Sequence, residues 1–391
     1  MRLRPGLVGD YRSDAGIFRS VTQRVWFIAL LVVAVYLGAG GQLGPINLSQ
    51  DVLIFTVTAL FASIGAIGLN IITGMAGQIS LGHAFFLGLG AFTAACLGGV
   101  EATRPAVDAA GNAITETVLV GYNLDMIIWL PAAGLVAALA GLIVAPVATR
   151  LRGMYLAFVT LGLVFLGEHI FREATTLTGG AGVGRPTAVA SLFGFRFDEA
   201  GEVFGLYLSK GQKLYFLGLI LLVVMGLAAK NLFRSRVGRA LAGIRDRDIA
   251  AEMMGIPLTR YKTVAFVVSS FYAGIAGALL WAIVGRLTAE GFGFLLSIRY
   301  IAMILIGGVA TVTGSIMGAF FITFLPKVVE WLGSFIPFIS LSPTGGMLTV
   351  AQFEQILYGL FLIGFLIFEP MGLYGIWIRV RNYWKAWPFS Y

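Results

Sequence analysis

Charged residues are scarce in this sequence. Only 12% of its 391 residues are charged, whereas 58% are hydrophobic, and a soluble domain carries about 25% charge. This deficit excludes an ordinary water-soluble domain and predicts a membrane protein. The hydrophobic runs are far longer than the roughly 10 alternating residues of a membrane-barrel strand, so we expect spanning helices that pair their own backbone groups.

Cysteine and histidine are almost absent as well. The sequence has one cysteine, Cys96, which lies in an apolar run, and two histidines, His83 and His169. These numbers argue against a disulfide framework and against a zinc site. The P-loop motif and the HExxH motif are both missing from the sequence. We therefore expect no catalytic residue, no metal and no cofactor in this chain.

The net charge of +8 could indicate binding to nucleic acid. The basic residues, however, lie in loops and tails between the apolar runs, which is the positive-inside pattern of a membrane protein. We therefore expect lipid rather than nucleic acid as a partner. The interiors of the apolar runs hold almost no ionisable side chains, the groups that mark ion-coupled transport. This scarcity favours a conduit that is driven by something outside the chain.

The apolar runs predict an all-α polytopic membrane protein with about ten transmembrane helices. The region 292–330 allows either one long helix or two, broken near Gly307. If the basic N-terminus and the basic tail after Glu369 lie on the same side, the number of spans is even, which favours two. The predicted spans are approximately 25–37, 52–72, 81–100, 126–149, 154–171, 214–229, 263–285, 292–308, 314–333 and 353–369.

This pattern divides the chain into a cytoplasmic N-terminal segment over residues 1–24, a transmembrane domain over 25–371 and a cytoplasmic tail over 372–391. The alternative for the N-terminus is a signal peptide, but its leading basic segment is long and no clear cleavage site follows it. The transmembrane domain includes a charged loop at 230–262, which we expect to be cytoplasmic.

Two apolar regions are interrupted by glycines and small polar residues, at 74–82 and at 307–318. Paired breaks in opposite halves of a chain are typical of a transporter's substrate path, where irregular backbone lines a cavity. The alternative is that these glycines only permit close packing of helices.

The stretch Gly238–Lys262, which we call the charged island, is the longest strongly charged segment between the apolar runs. Several ordered motifs lie in the charged island and just after it, and others lie in the first glycine break, at 74–82, and just before it. They are GRAL (238–241), IRD (244–246), AAE (250–252), MGI (254–256) and YK (261–262), then AF (265–266), AG (273–274) and AGAL (276–279), and, earlier in the chain, GLN (68–70) and TGMAGQISLGHA (73–84).

These motifs resemble those of the permease subunits of bacterial ABC importers for branched-chain amino acids, specifically the longer of the two LIV-type permeases. Shorter matches at 178–186 and 306–319 extend the resemblance over roughly residues 50–370. Two positions depart from the family pattern: Gly243 replaces an alanine, and Asp248 lies near the usual glutamate.

The resemblance implies that the charged island contains a short coupling helix that docks on an ATPase and is ended by Pro257, with Gly255 permitting close approach of the backbone. It also implies four kinds of partner: two cytoplasmic ATPase subunits, a sister permease that completes a heterodimer, an extracytoplasmic substrate-binding protein and membrane lipid. The chain would lie in the bacterial cytoplasmic (inner) membrane. The candidate coupling residues are Arg239, Arg245, Asp246, Asp248, Ala251, Glu252 and Gly255.

The cargo implied is a branched-chain or other hydrophobic amino acid, for which we expect a path of small and polar groups. The candidate path residues are Asn70, Thr73, Gln78, Ser80 and His83. An importer of urea, short amides or other amino acids is the nearest alternative, although the tryptophan that related urea permeases carry near Thr73 is absent here. A passive channel or a polytopic membrane enzyme is an alternative of another class.

Overall fold

The computed structural model of this chain describes residues 21–40, 49–107, 113–151, 153–203, 206–333, 339–340 and 348–386. Most of the predicted N-terminal segment and the last five residues of the tail lie outside these ranges. The described residues are mainly helical. The helices are α1 (Val21–Ala39), α2 (Gln50–Asn70), α3 (His83–Gly98), α4 (Met126–Arg150), α5 (Met154–Glu173), α6 (Thr175–Thr178), α7 (Lys210–Arg234), α8 (Arg236–Asp246), α9 (Asp248–Met253), α10 (Leu258–Val284), α11 (Phe294–Gly307), α12 (Val312–Gly333), α13 (Val350–Phe368) and α14 (Gly372–Ala386).

Short strands occupy the loops between these helices. Four pairs are antiparallel and one, β9 with β10, is parallel. The segment between the predicted spans 154–171 and 214–229 is therefore partly folded. The strands are β1 (Ala102–Val107), β2 (Ala113–Leu119), β3 (Arg185–Pro186), β4 (Ser191–Leu192), β5 (Phe195–Arg196), β6 (Gly201–Val203), β7 (Leu206–Leu208), β8 (Arg286–Leu287), β9 (Ile339–Ser340) and β10 (Leu348–Thr349), paired as β1–β2, β3–β8, β4–β5, β6–β7 and β9–β10.

The helical membrane class predicted from composition is confirmed. Among the described residues, seven helices are long and apolar enough to cross a membrane, and an eighth span results if α13 and α14, which meet at a bend of 47°, count as one. The described residues also include two shorter apolar helices, Gln23–Ala39 and His83–Gly98. Each of the ten predicted segments thus coincides with a helix, while the count of ten spans remains a prediction.

Helix α10 lies at the centre of the bundle, packed against α2, α3 and α4. Small residues allow these backbones to approach closely. A side chain at Gly277 would collide with the carbonyl of Leu87, and one at Gly90 would collide with the backbone of Gly274. Because lipid is as apolar as leucine, such close packing replaces the hydrophobic effect as the force that associates helices in a membrane.

The connections between helices collect at two ends of the bundle. The charged island lies beside the end of α2 and the turn between α4 and α5, because residues from all three line one cleft. We call this the island end. The described parts of the loops at 99–125 and 174–208 lie at the opposite end, where they contact the C-terminal end of α3. The basic residue Arg150 is therefore on the same side as the charged island, in agreement with the predicted alternation of the helices.

Arg185 joins the loops of the opposite end, and the sequence had not singled it out. This side chain is 1% exposed. Its guanidinium donates to the carbonyl oxygens of Leu177 at 2.6 Å, Ala95 at 2.6 Å and Val120 at 2.7 Å. Carbonyl dipoles, including one near the C-terminal end of α3, thus surround the buried cation, which favours a positive charge there.

We predict that replacing Arg185 with Leu destabilises the protein by at least about 2 kcal/mol, because the carbonyl groups of Leu177, Ala95 and Val120 lose a charged donor and a hydrogen bond to a charged group contributes roughly 1.5–3 kcal/mol. The measurement is thermal unfolding of the purified chain in detergent. Arg286 is the matched control, since this exposed side chain donates to one carbonyl, that of Val183. Equal destabilisation by Arg185→Leu and Arg286→Leu would contradict the assignment.

Candidate functional site

The charged island folds as two helices, α8 and α9, that precede α10. The hydroxyl of Ser235 caps α8 by accepting from the backbone N–H of Gly238 at 3.3 Å. Ala240, Leu241 and Ile244 recur at helical spacing and are buried, so this face of α8 packs against the bundle. The charged residues of α8 are exposed.

Helix α9 ends at a glycine with a left-handed backbone. Gly255 has a φ of +80°. The N–H of Ile256 donates to the carbonyl of Ala251 at 3.0 Å, and the N–H of Gly255 donates to that of Glu252 at 2.9 Å. This pair of bonds is the Schellman motif, which favours glycine because other residues strain in this conformation.

One expectation about this helix is corrected by that geometry. Pro257 does not end α9, because the helix stops before Gly255 and Pro257 instead immediately precedes the first residue of α10. Gly255 has a left-handed backbone, and a Cβ atom at this position would meet no other part of the described chain within 4 Å; its role in close approach to an ATPase stays a prediction.

Helix α9 exposes an apolar surface at the island end. Ile249, Met253 and Met254 are 65%, 86% and 84% exposed, whereas Ala251 is buried. Methionine adapts its shape to an opposing surface and is frequent at protein-binding sites. We call these three residues the α9 face. The candidate coupling residue Glu252 is also exposed, next to this face.

The other candidate coupling residues are exposed or partly exposed around α8 and the start of α9. Arg239 donates to the carbonyl of Arg234 at 3.0 Å. The carboxylate of Asp248 accepts from the N–H of Ile249 at 2.9 Å, in the first turn of α9, where a negative charge is favoured by the helix dipole. Arg245 and Asp246 form an ion pair at 3.1 Å.

Arg245 also connects the charged island to the first glycine break. Its Nη1 atom donates to the carbonyl oxygen of Gly74 at 3.1 Å. At Gly77, whose φ is +67°, a Cβ atom would lie 2.8 Å from Cγ of Arg245. The island and the break are therefore in direct contact, so a displacement of one requires an adjustment of the other.

A turn of π-helix, Ile71–Met75, extends α2 into the first break. Turns of this type are frequent at functional sites. The next residues form no regular helix until α3 begins at His83. In a span, such backbone is tolerated only where protein or a water-filled cavity surrounds it.

Asn70 joins the first break to the second. Its Nδ2 atom donates to the carbonyl of Thr311 at 2.9 Å and to the hydroxyl of Ser315 at 2.7 Å, and its Oδ1 atom accepts from the N–H of Ala310 at 2.8 Å. The side chain is fully buried. The structure thus brings together the two glycine breaks that lie in opposite halves of the sequence, and it uses the Asn70 amide to hold them.

The other candidate path residues follow this contact along the chain. Gln78 is 6% exposed, and neither polar atom of its amide has a hydrogen-bond partner among the described residues. The buried hydroxyl of Thr73 is likewise unpartnered within the described chain. The hydroxyl of Ser80, by contrast, accepts from the N–H of Gly82 at 3.4 Å.

His83 lies deeper in the bundle, with its ring centroid 4.9 Å from that of Tyr300. Both rings are buried, and Nε2 of His83 and the hydroxyl of Tyr300 have no partner among the described residues. A buried polar group without a partner is costly, which makes these two groups candidates for contact with a polar molecule. The sequence had not singled out Tyr300.

Within the described residues, no group of three or more metal-ligating side chains is present. A cleft of about 210 Å³ lies between the island and the break. It is lined by Ala76, Gly77, Gln78, Leu151, Gly153, Leu156, Ile244, Arg245, Asp246, Arg247, Asp248 and Lys262. Since the break, the cleft and the charged island adjoin one another, we treat them as one candidate functional site.

Comparison with known proteins agrees with the motifs. The profile of the family described as "Branched-chain amino acid transport system / permease component" matches residues 52–366. The high-affinity branched-chain amino acid transport system permease proteins LivM of Salmonella typhimurium and Escherichia coli are each 31% identical over 312 residues, which cover 77% of this chain and 67% of the relative.

A more distant relative is the autoinducer 2 import system permease protein LsrC of Enterobacter sp., which is 29% identical over 220 residues, 54% of this chain and 57% of the relative. No solved structure gives a significant match. Because the profile spans most of the sequence and its motifs lie at the candidate site, the chain belongs to the family of permease components of branched-chain amino acid transport systems.

Proposed function

We propose that this chain is the transmembrane permease subunit of an ATP-driven importer that carries branched-chain or other hydrophobic amino acids across the cytoplasmic membrane. The observation that carries the proposal is the α9 face beside the Arg245–Gly74 contact. An exposed apolar surface marks a site of interaction with a partner. The α9 face belongs to the same charged island as Arg245, which contacts the first glycine break directly.

The partner we propose for the α9 face is a cytoplasmic ATPase subunit. The island end is rich in arginine and lysine, and the positive-inside rule therefore places it in the cytoplasm. Charged side chains around the apolar centre would set the orientation of docking more than its affinity. ATP hydrolysis occurs on two such subunits in this scheme, while a sister permease and an extracytoplasmic binding protein complete the importer.

The proposed mechanism transmits a movement of α9 into the bundle. When the ATPase subunits close, they displace α8 and α9 together, because a single residue, Arg247, separates these helices. Arg245 then moves against the carbonyl of Gly74 and the backbone of Gly77. Because Asn70 connects this break to the loop at 308–311, both breaks respond, and the path opens toward the cytoplasm.

The unpartnered polar groups near the first break suit a zwitterionic cargo. Thr73, Gln78 and His83 each present a buried polar atom without a partner in the described chain, and such groups can form hydrogen bonds with the carboxylate and the ammonium of the cargo. Ser80 supplies a further hydroxyl. Asn70 has a different role in this proposal, because its amide is used in positioning the two breaks.

We predict that a charge on the α9 face prevents coupling. Met253→Asp should reduce uptake about tenfold or more, because it introduces a desolvated charge at the centre of the proposed interface. The measurements are uptake of radiolabelled leucine by the complete importer in proteoliposomes and binding of the ATPase subunits. Thr259→Asp, at an exposed position on α10, is the matched control. Normal uptake with Met253→Asp would refute the docking surface.

We expect Arg245→Met to uncouple ATP hydrolysis from transport. The substitution keeps an unbranched, flexible side chain but removes the hydrogen bond to Gly74, a contact worth roughly 1 kcal/mol. The number of substrate molecules moved per ATP should fall about fivefold, while the ATPase subunits still bind. The control is Arg247→Gln, which changes a neighbouring exposed cation. A fall of equal size in both variants would show that net charge, not this contact, matters.

We predict that leucine, isoleucine and valine compete with one another for uptake by the importer and that urea and short amides do not. The test is competition in proteoliposomes that contain this chain, its partner subunits and the cognate binding protein. Competition by autoinducer 2 would instead identify a cargo like that named for the Enterobacter relative. Either outcome for the cargo leaves the binding of the ATPase subunits to the α9 face as an independent measurement.

A further inference from the structure

The C-terminal helix α14 carries an apolar stripe that the transport mechanism does not use. At 3.6 residues per turn, five exposed side chains fall within an arc of about 120°. Three of the five are aromatic, and tryptophan and tyrosine are the residues that concentrate at the boundary between lipid and water. The stripe consists of Ile376, Trp377, Val380, Tyr383 and Trp384.

Cationic side chains border this stripe on both edges. Arg379 lies on one edge and pairs with Glu369. Arg381 lies on the other edge, four residues after Trp377; this residue is half-buried, and its Nε atom is buried without a hydrogen-bond partner among the described residues. The exposed polar residue Asn382 lies on the opposite face of the helix. This distribution is typical of a helix that lies in the plane of a membrane surface.

Helix α14 follows α13, an apolar span, after a bend of 47°, so its axis turns partly away from the direction of the span and toward the membrane surface. The end of α13 exposes Ile363, Ile367 and Phe368, so the apolar surface continues from the span onto the stripe. Helix α14 also begins at the island end, since a Cβ atom at Gly372 would lie 2.5 Å from the carbonyl of Ile306 and 2.9 Å from the nitrogen of Gly308.

We propose that the stripe of α14 lies in the boundary layer of the bilayer at the island end, with the guanidinium of Arg381 bound to anionic lipid headgroups. The continuity of the stripe with the span favours lipid over a protein partner. Because Gly372 packs on the second glycine break, this anchoring also fixes one side of that break. The inference depends on the membrane location of the chain and not on its cargo.

The experiment places an environment-sensitive fluorophore on a cysteine at one of two positions of the full-length chain. Val380→Cys lies in the stripe, and Asn382→Cys on the opposite face is the matched control. The chain with only its native Cys96 provides the background. Each protein is reconstituted with its partner subunits in phosphatidylcholine vesicles, with or without phosphatidylglycerol, that contain a lipid bearing a nitroxide on its acyl chain.

We expect the label at position 380 to show blue-shifted emission and quenching by the nitroxide lipid, and the label at 382 to remain in water. In vesicles with phosphatidylglycerol, Arg381→Gln should lower the ratio of lipid-bound to water-exposed label about fivefold, the contribution of one cation near an anionic surface. In phosphatidylcholine alone this substitution should have little effect.

Three results would overturn the proposal. Equal quenching at positions 380 and 382 would show that the stripe does not face the bilayer. An unchanged ratio after Arg381→Gln in anionic vesicles would exclude recognition of headgroup charge. A blue shift at position 380 that requires the ATPase subunits, without quenching by lipid, would identify the stripe as a protein contact. None of these readouts depends on transport activity.

Discussion

A single buried amide is the constraint on which this structure depends. In a lipid-embedded helical bundle, backbone that leaves the helix must find its hydrogen bonds inside the protein. The loop at 308–311 leaves the helix, and Asn70 satisfies its N–H and carbonyl groups from across the bundle. The same side chain therefore permits the second break and fixes its distance from the first.

The charged island contacts the first of these two breaks from the surface of the bundle. Its helix α8 packs by an apolar face, while Arg245 reaches the backbone of the first break. Hydrogen bonds to backbone carbonyls transmit displacement without requiring a particular side chain at the receiving position. Glycine at positions 74 and 77 is nonetheless required, because side chains there would collide with Asn70 and Arg245 respectively. The positions of the Asn70 and Arg245 side chains therefore explain why glycine occupies positions 74 and 77.

The two ends of the bundle are stabilised in different ways. At the opposite end, the buried Arg185 gathers three carbonyl groups from separate segments. At the island end, the buried polar groups of Thr73 and Gln78 lack partners in the described chain. Groups whose hydrogen bonds are not fixed within the chain suit a path that must accommodate changing contacts.

Composition and the long apolar runs determined the helical membrane class, the approximate positions of the helices and the sides on which their connections lie, because lipid imposes simple rules of length and charge. The ordered motifs determined the family. Only the tertiary structure decided that Asn70 bonds to Thr311, that Arg245 contacts Gly74 and that Tyr300 faces His83. These contacts join residues far apart in the chain, and no local pattern of apolar and polar residues specifies which distant backbone a buried side chain will reach.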